Sequence, residues 1–329
     1  MSFFRKKLIV LVSCCSLSLL VLFLASHESY GAQKTYPDRA IKLMVGTAPG
    51  GVPDLWARAW TDEFSKALKV PVVIANIAGA STMGALIEAA RAKPDGYTIA
   101  TASQSNVVGY SIASKPVVDL FKDFVPLGSF GSFPTIVAVE ASSPFKTYED
   151  LIDFAKKNPK KLKFGTAGAT IISTFIFELL KQHANVDIVM VPFKGSPPAV
   201  NALLGKHVDL LSLSPSALMG LMKAGRVRAL LTTRKMKEIP DVPTFADKGL
   251  TDAAMPSWSG IMAPAGISPE IQRKLVDTFA KVVKDPNVVK RIEDLGFNTY
   301  YQSPQELTIQ MKKDSEKLSA VAKRAGISE

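Results

Sequence analysis

Cysteine is nearly absent. The 329 residues include only two, Cys14 and Cys15, both inside an apolar leader, so the remainder can form no disulfide and offers no catalytic thiol. Histidine is scarce as well, with three in the chain. His183 falls near an expected helix end and His207 before an expected strand, both away from the loops that gather polar groups, so imidazole chemistry finds no site. Metal-ligand spacings and a Gly-x-Ser-x-Gly elbow are missing. Carboxylates such as Asp62 with Glu63, or Glu149 with Asp150, sit among charged helix neighbours. An enzyme is not expected, and no catalytic residue, metal or cofactor is assigned. The 40 Lys and Arg against 29 Asp and Glu give a net charge of +11, but the charges are scattered, as in Lys312, Lys313, Asp314, Glu316 and Lys317, a solvated helix face. Without an aromatic-basic cluster this excludes nucleic acid as a partner and leaves a weak pull on anionic solutes.

The amino terminus reads as an export signal. Arg5, Lys6 and Lys7 precede an apolar run from Leu8 to Ala25, and cleavage after Gly31 places the small residue Ser29 at −3. Residues 1–31 are therefore set apart as a signal peptide, which predicts a periplasmic protein. Leu11, Val12, Ser13 and Cys14 also resemble a lipoprotein box, but the apolar run continues well past Cys14. An uncleaved anchor is the third reading. The chain beyond Gly31 is long enough for two domains of ordinary size, and 47% hydrophobic content suffices for two cores.

The stretch Val45 to Asp54, V-G-T-A-P-G-G-V-P-D, joins a strand to a helix. Ile41, Leu43 and Val45 alternate with Lys42 and Met44 before it, and Leu55, Ala59, Phe64 and Leu68 recur at helical spacing after it. Gly50 and Gly51 allow positive φ and close approach of a ligand, and Asp54 suits the positive end of a helix. Amide groups left without partners at such a turn would suit an anion. A plain connecting loop is the alternative. A nucleotide loop is excluded, because Val52 and Pro53 stand where that motif needs Lys and Ser or Thr.

Strand and helix alternate from Ile41 to Ala102, predicting a parallel sheet whose loops Gly46–Asp54, Ile77–Gly84 and Ser103–Asn106 share one rim. A second alternating series runs from Thr135 to Thr232, with Ala167–Thr170, Phe193–Ser196 and Ser212–Ser216 at its strand ends, and Thr147 and Asp150 spaced as a capping box. Residues after Pro240 start no new strand series and are taken to complete the first domain. The expected division is residues 32–128 plus 252–329 for domain 1 and 129–251 for domain 2. Two crossings near Ser129 and Thr251, each placed to about ten residues, favour hinge motion.

In order along the chain, Y-P-D-R-A-I-K-L at Tyr36–Leu43, A-P-G-G-V-P-D at Ala48–Asp54, K-P-D-G-Y-T at Lys93–Thr98, P-F-K-G-S-P-P-A at Pro192–Ala199, K-A-G-R-V-R-A-L at Lys223–Leu230, P-D-V-P-T at Pro240–Thr244 and W-S-G-I-M-A-P-A-G at Trp258–Gly266 resemble the Bug-type substrate-binding proteins of tripartite tricarboxylate transporters. The resemblance implies an α/β chain with the type II periplasmic-binding-protein fold. Each domain would be a mostly parallel sheet flanked by helices, with a hinge and an interdomain cleft. It also implies a monomer that captures a small carboxylate solute and delivers it to a two-component membrane permease. An extracytoplasmic sensor feeding a signalling receptor is the alternative function. Carried over by position, the ligand-binding residues are Thr47, Ala48, Gly50, Gly51, Ser81, Thr82, Ser103, Ala167, Gly168, Ala169, Thr170, Lys194, Gly195, Ser196, Ser214 and Trp258. Trp258 could equally anchor a core, and Lys194 could point to water. Ile77 with Ala78, Thr82 with Met83, and Ile171 with Ile172 replace more polar or smaller residues of the family pattern. A carboxylate with a larger apolar or aromatic body than citrate or aspartate is the expected ligand.

Overall fold

The computed structural model describes residues 35–79, 82–113, 115–255, 257–325 and 327. The chain divides into two compact units, Met1–Asp38 and Arg39–Glu329. The signal peptide expected at 1–31 and the lipid-attachment alternative at Cys14 lie outside the described residues, as does Ser81.

The larger unit holds two sheets. The first has strand order β11-β4-β10-β3-β1-β2, built from β1 (Ile41–Val45), β2 (Val72–Asn76), β3 (Thr98–Ser103), β4 (Phe124–Phe133), β10 (Ser257–Pro264) and β11 (Asn298–Gln302). The second has order β7-β6-β8-β5-β9, from β5 (Ile136–Glu140), β6 (Lys163–Thr166), β7 (Val189–Pro192), β8 (Leu210–Leu213) and β9 (Val227–Thr232). The chain thus leaves the first sheet after Phe133 and re-enters it at Ser257.

Most strands of each sheet share one direction, with β10 and β11 reversed in the first and β5 in the second. β1 pairs in parallel with β2 and β3, and β6 with β7 and β8, as strand–helix–strand units require. β10, β4 and β11 run antiparallel to their neighbours, and so does β5 to β8 and β9. β10 is antiparallel to both β3 and β4, so β4, reached through the helix Gln104–Ile112, keeps the direction of β1–β3. Only β10, on which the chain re-enters the sheet, and β11 run against it.

Helices pack on these sheets. α1 (Val52–Leu68) buries Trp56, Trp60 and Phe64, which meet Phe279 of α8 (Pro269–Val282) edge-on, with Trp60 and Phe279 ring centroids 5.2 Å apart. Edge-to-face pairs of this kind add roughly 0.5–1.5 kcal/mol each beyond area burial. The remaining helices are α2 (Gly84–Ala89), α3 (Gln104–Ile112), α4 (Tyr148–Lys157), α5 (Ile172–Ala184), α6 (Ser196–Leu204), α7 (Pro215–Lys223), α9 (Pro286–Asp294) and α10 (Pro304–Ala325). The capping box is present at α4: the Asp150 amide donates to Thr147 Oγ1 at 3.1 Å and the Thr147 amide to Asp150 Oδ2 at 2.9 Å. α10 packs against both α3 of the first lobe and α5 of the second. One apolar cluster therefore runs from Ala102 and Trp258 through Leu307, Met311 and Leu318 to Phe175 and Phe177. No helix among the described residues is long and apolar enough to cross a membrane.

Candidate functional site

The loop after β1 is organised by Asp54, which is 1% exposed at the start of α1. Its Oδ2 accepts from the Gly50 amide and from Arg58 Nε, both at 2.9 Å, and its Oδ1 accepts from Asn76 Nδ2 at 2.9 Å. Asn76, the last residue of β2, also donates to the Thr47 carbonyl at 2.9 Å. Burial pushes the Asp54 carboxyl up, but the hydrogen bonds from Arg58, Gly50 and Asn76 outweigh it and hold it below the usual carboxylate range. The amides of Gly50 and Gly51 are thus already engaged, the second by the Ala48 carbonyl at 3.1 Å, so unpartnered amides at this turn would have to come from other residues. Gly50 does take positive φ, +82°, and nothing would meet a side chain there. A Cβ on Gly51 would lie 2.8 Å from Thr47, so that glycine serves closure of the loop on itself. Ala48 and Gly50 are exposed, and Thr47 is half-buried with a shielded Oγ1 that has no partner.

The second loop packs directly on the first, since a Cβ at Gly46 would sit 2.2 Å from the Thr82 carbonyl oxygen. Thr82 occupies φ +78°, a region that β-branched side chains rarely adopt. Asn106 holds it there, donating to the Thr82 carbonyl and to Oγ1, each at 3.0 Å. In the third loop Ser103 caps α3 and its amide donates to Asn106 Oδ1 at 2.8 Å. Ser103 is buried, not open to solvent.

The second lobe supplies its loops with backbone groups and hydroxyls. The Gly168 carbonyl accepts from Thr166 Oγ1 at 3.2 Å and Thr174 Oγ1 at 2.7 Å, and the Ala167 carbonyl from the Gly195 amide at 3.1 Å. Ala167, Gly168 and Ala169 are half-buried, while Thr170 is buried with Oγ1 unpartnered. Gly195, at φ +108°, precedes α6, with Ser196 as its first residue. Ser214 precedes α7 and shares a 2.9 Å hydrogen bond with Ser216. Lys194 is exposed.

The two lobes touch where α3 and α5 begin, with the Ile172 amide donating to Ser105 Oγ at 3.3 Å. Trp258 stands apart from this contact. It is 1% exposed and its indole N–H donates to Asp314 Oδ2 at 2.8 Å, which makes it a core anchor. Asp314, itself buried on α10, also accepts from Gln310 Nε2 at 2.8 Å. Burial raises its carboxyl above the usual range, with hydrogen bonds from Trp258 and Gln310 pulling the other way. Two cavities have linings that include none of the loop residues named above, one of about 550 Å³ beside Arg91, Pro94 and Pro264 and one of about 270 Å³ beside Arg234 and Asn298. Among the described residues no cluster of His, Cys, Asp and Glu could hold a metal ion.

Sequence reasoning missed Asp54 and Asn76 as the loop's organisers and Asn106 as its brace. Arg58 one turn after Asp54 and an amide side chain ending β2 were the available signals.

Residues 56–327 match the family TctC, described as the tripartite tricarboxylate transporter family receptor. A protein encoded in the TAR-I ttuE-ttuC' intergenic region of Agrobacterium vitis is 32% identical over 305 residues, covering 90% of this chain and 87% of its own. The solved periplasmic binding protein BugD is 28% identical with a TM-score of 0.80, covering 89% of this chain and 99% of BugD. The R. palustris protein Rpa4515, solved with adipate, is also 28% identical, with a TM-score of 0.82 and the same coverage.

Proposed function

The chain belongs to the tripartite tricarboxylate transporter receptor family, a family of periplasmic solute-binding proteins rather than enzymes, and from that premise we propose that it captures a small carboxylate for a membrane permease of the tripartite type. The ligand lies between the lobes, between the loops that follow β1, β2 and β3 and those that follow β6, β7 and β8. The observation that carries this reading is the meeting of Ser105 with the Ile172 amide, with the unpartnered hydroxyls of Thr47 and Thr170 on the neighbouring loops of either lobe. Unpaired shielded hydroxyls cost free energy unless a ligand completes them. The lobes close about the two crossing segments, and export by the amino-terminal signal brings the protein to its solute.

The ligand has an apolar body. Ile77 and Ile171 are half-buried on loops of opposite lobes, whereas Ile172, 3% exposed, belongs to the core and contributes nothing to this preference. Burying one added apolar group is worth about 1.5–3 kcal/mol, or about one to two orders of magnitude in affinity. The adipate seen in the R. palustris relative is a six-carbon dicarboxylate with such a body. Calorimetric titration with adipate, longer and aromatic dicarboxylates, aspartate and citrate is expected to rank the apolar-bodied acids first. Tighter binding of citrate would remove the preference, and heat from none of these acids would remove the carboxylate.

A further inference from the structure

The 270 Å³ cavity is walled by both lobes: Arg234, Lys235, Met236, Lys237 and Glu238 come from the loop after β9, and Glu293, Gly296, Phe297 and Asn298 from the end of α9 and the start of β11. β9 and β11 are edge strands, at the far ends of their sheets from the loops that follow β2 and β7. With strands about 4.8 Å apart, four strand spacings separate β11 from β1, about 19 Å. The lobes are in contact here. A Cβ on Gly296 would lie 2.8 Å from Pro215 of α7, which follows Ser214, while within the first lobe Phe297 meets Phe133, the last residue of β4, at a 5.3 Å ring separation.

The charges lining the cavity do not cancel locally. Lys235 Nζ lies 3.5 Å from Asp247, and Glu293 accepts from Thr299 Oγ1 at 3.4 Å. Arg234 makes no ion pair with a described carboxylate, and its Nε is shut off from solvent without a hydrogen-bond partner. Burial lowers the affinity of that guanidinium for its proton, and Glu238, further along the same loop, only partly offsets this. A guanidinium does not give up its proton in proteins, so the residual demand is for an anion. Lys237 and the Asn298 amide are exposed beside it. The volume holds a small hydrated ion, about nine waters at ~30 Å³ each, and is below the roughly 300 Å³ at which drug-sized ligand pockets begin.

We propose that this cavity, lined by none of the residues assigned to the carboxylate cleft, is a second anion site that takes a phosphate-sized oxyanion on Arg234 and Lys237 of one lobe and Asn298 of the other. Because its walls belong to different lobes, its occupancy depends on how the lobes are set, and an ion bound there favours one setting. Thermal unfolding is followed as inorganic phosphate replaces chloride at constant ionic strength. The expected result is a saturable rise in Tm. Arg234→Gln should weaken the apparent affinity at least tenfold, and Lys237→Gln and Asn298→Ala severalfold each. Lys237 is exposed, so its variant keeps the test available if Arg234→Gln folds poorly. A rise no larger than that from chloride, or one unchanged in the Arg234 and Lys237 variants, overturns the site. A rise that survives Asn298→Ala but not Arg234→Gln overturns its sharing between the lobes.

Discussion

The loops of the first lobe are tied by side chains, those of the second by their own backbone and hydroxyls. Asp54, Asn76 and Asn106 between them fix Gly50, Thr47 and Thr82, and no comparable carboxylate or amide among the described residues braces Gly168 or Gly195. Charge-assisted bonds are about twice as strong as neutral ones, so the first lobe presents a preset half of the site. The second lobe's loops are joined only by the neutral bonds of Thr166, Thr174 and the Gly195 amide, which makes them the softer half.

The sharpest break of this contrast is Asp54→Ala. Removing the hub frees the Gly50 amide, Arg58 and Asn76 together and should cost about 2–3 kcal/mol in urea unfolding, with carboxylate affinity falling in parallel. The sign with pH is set by a carboxyl held below its ordinary value of 3.8. Its stabilisation is fully present above that value and is lost as pH falls through the lower folded-state value. An acid titration in which wild type and Asp54→Ala converge below that window is the expected outcome, and parallel curves would show that the hub contributes nothing.

Asp314 sharpens the comparison from behind, because through Trp258 it ties α10 to β10, with Gln310 one turn back on the same helix holding its other oxygen. Asp314→Ala strands a buried indole N–H and should cost about 1–2 kcal/mol near pH 4. Here the carboxyl is raised, so its contribution is greatest below the unfolded-state value and declines as pH rises through the folded-state one. The gap between wild type and variant should therefore narrow toward neutral pH; a gap that widens contradicts the raised carboxyl.

On the soft side, Thr174→Val removes a hydroxyl that supports the Gly168 carbonyl and keeps the shape. About 1 kcal/mol is expected, with a smaller effect on ligand affinity than Asp54→Ala. A larger effect than the Asp54 variant would reverse the assignment of rigid and yielding halves.

Much of this architecture was legible in the sequence where elements repeat the strand–helix–strand pattern. β1, β2, β8 and β9 each carry an apolar run of the right length, and the loops after β1, β3 and β8 gather small polar residues. β4 was illegible because Pro126, Gly128 and Gly131 interrupt it. The two glycines take φ +136° and +90°, and register shifts in its pairing with β10 break the alternation. β10 hid behind its own motif, since Trp258, Ser259 and Gly260 look like a loop signature until the strand is seen buried on both faces. For the site, spacing identified which loops converge but not what ties them. Asn76 and Asn106 act across 22 and 24 residues of sequence, a distance at which local pattern carries no signal.

The smallest expected effect lies at Thr82, where the rigid half holds a conformation its residue resists. At φ +78° a threonine carries strain of roughly 1–3 kcal/mol, and the two hydrogen bonds from Asn106 offset part of it. Thr82→Asn, a residue that tolerates the left-handed region, should raise stability by up to about 1 kcal/mol. Thr82→Val keeps the strain, loses the hydroxyl and should lower stability by a similar amount, about 1 kcal/mol. If both variants destabilise equally, the backbone there is relaxed around threonine. The preset character of the first lobe would then rest on Asp54 alone.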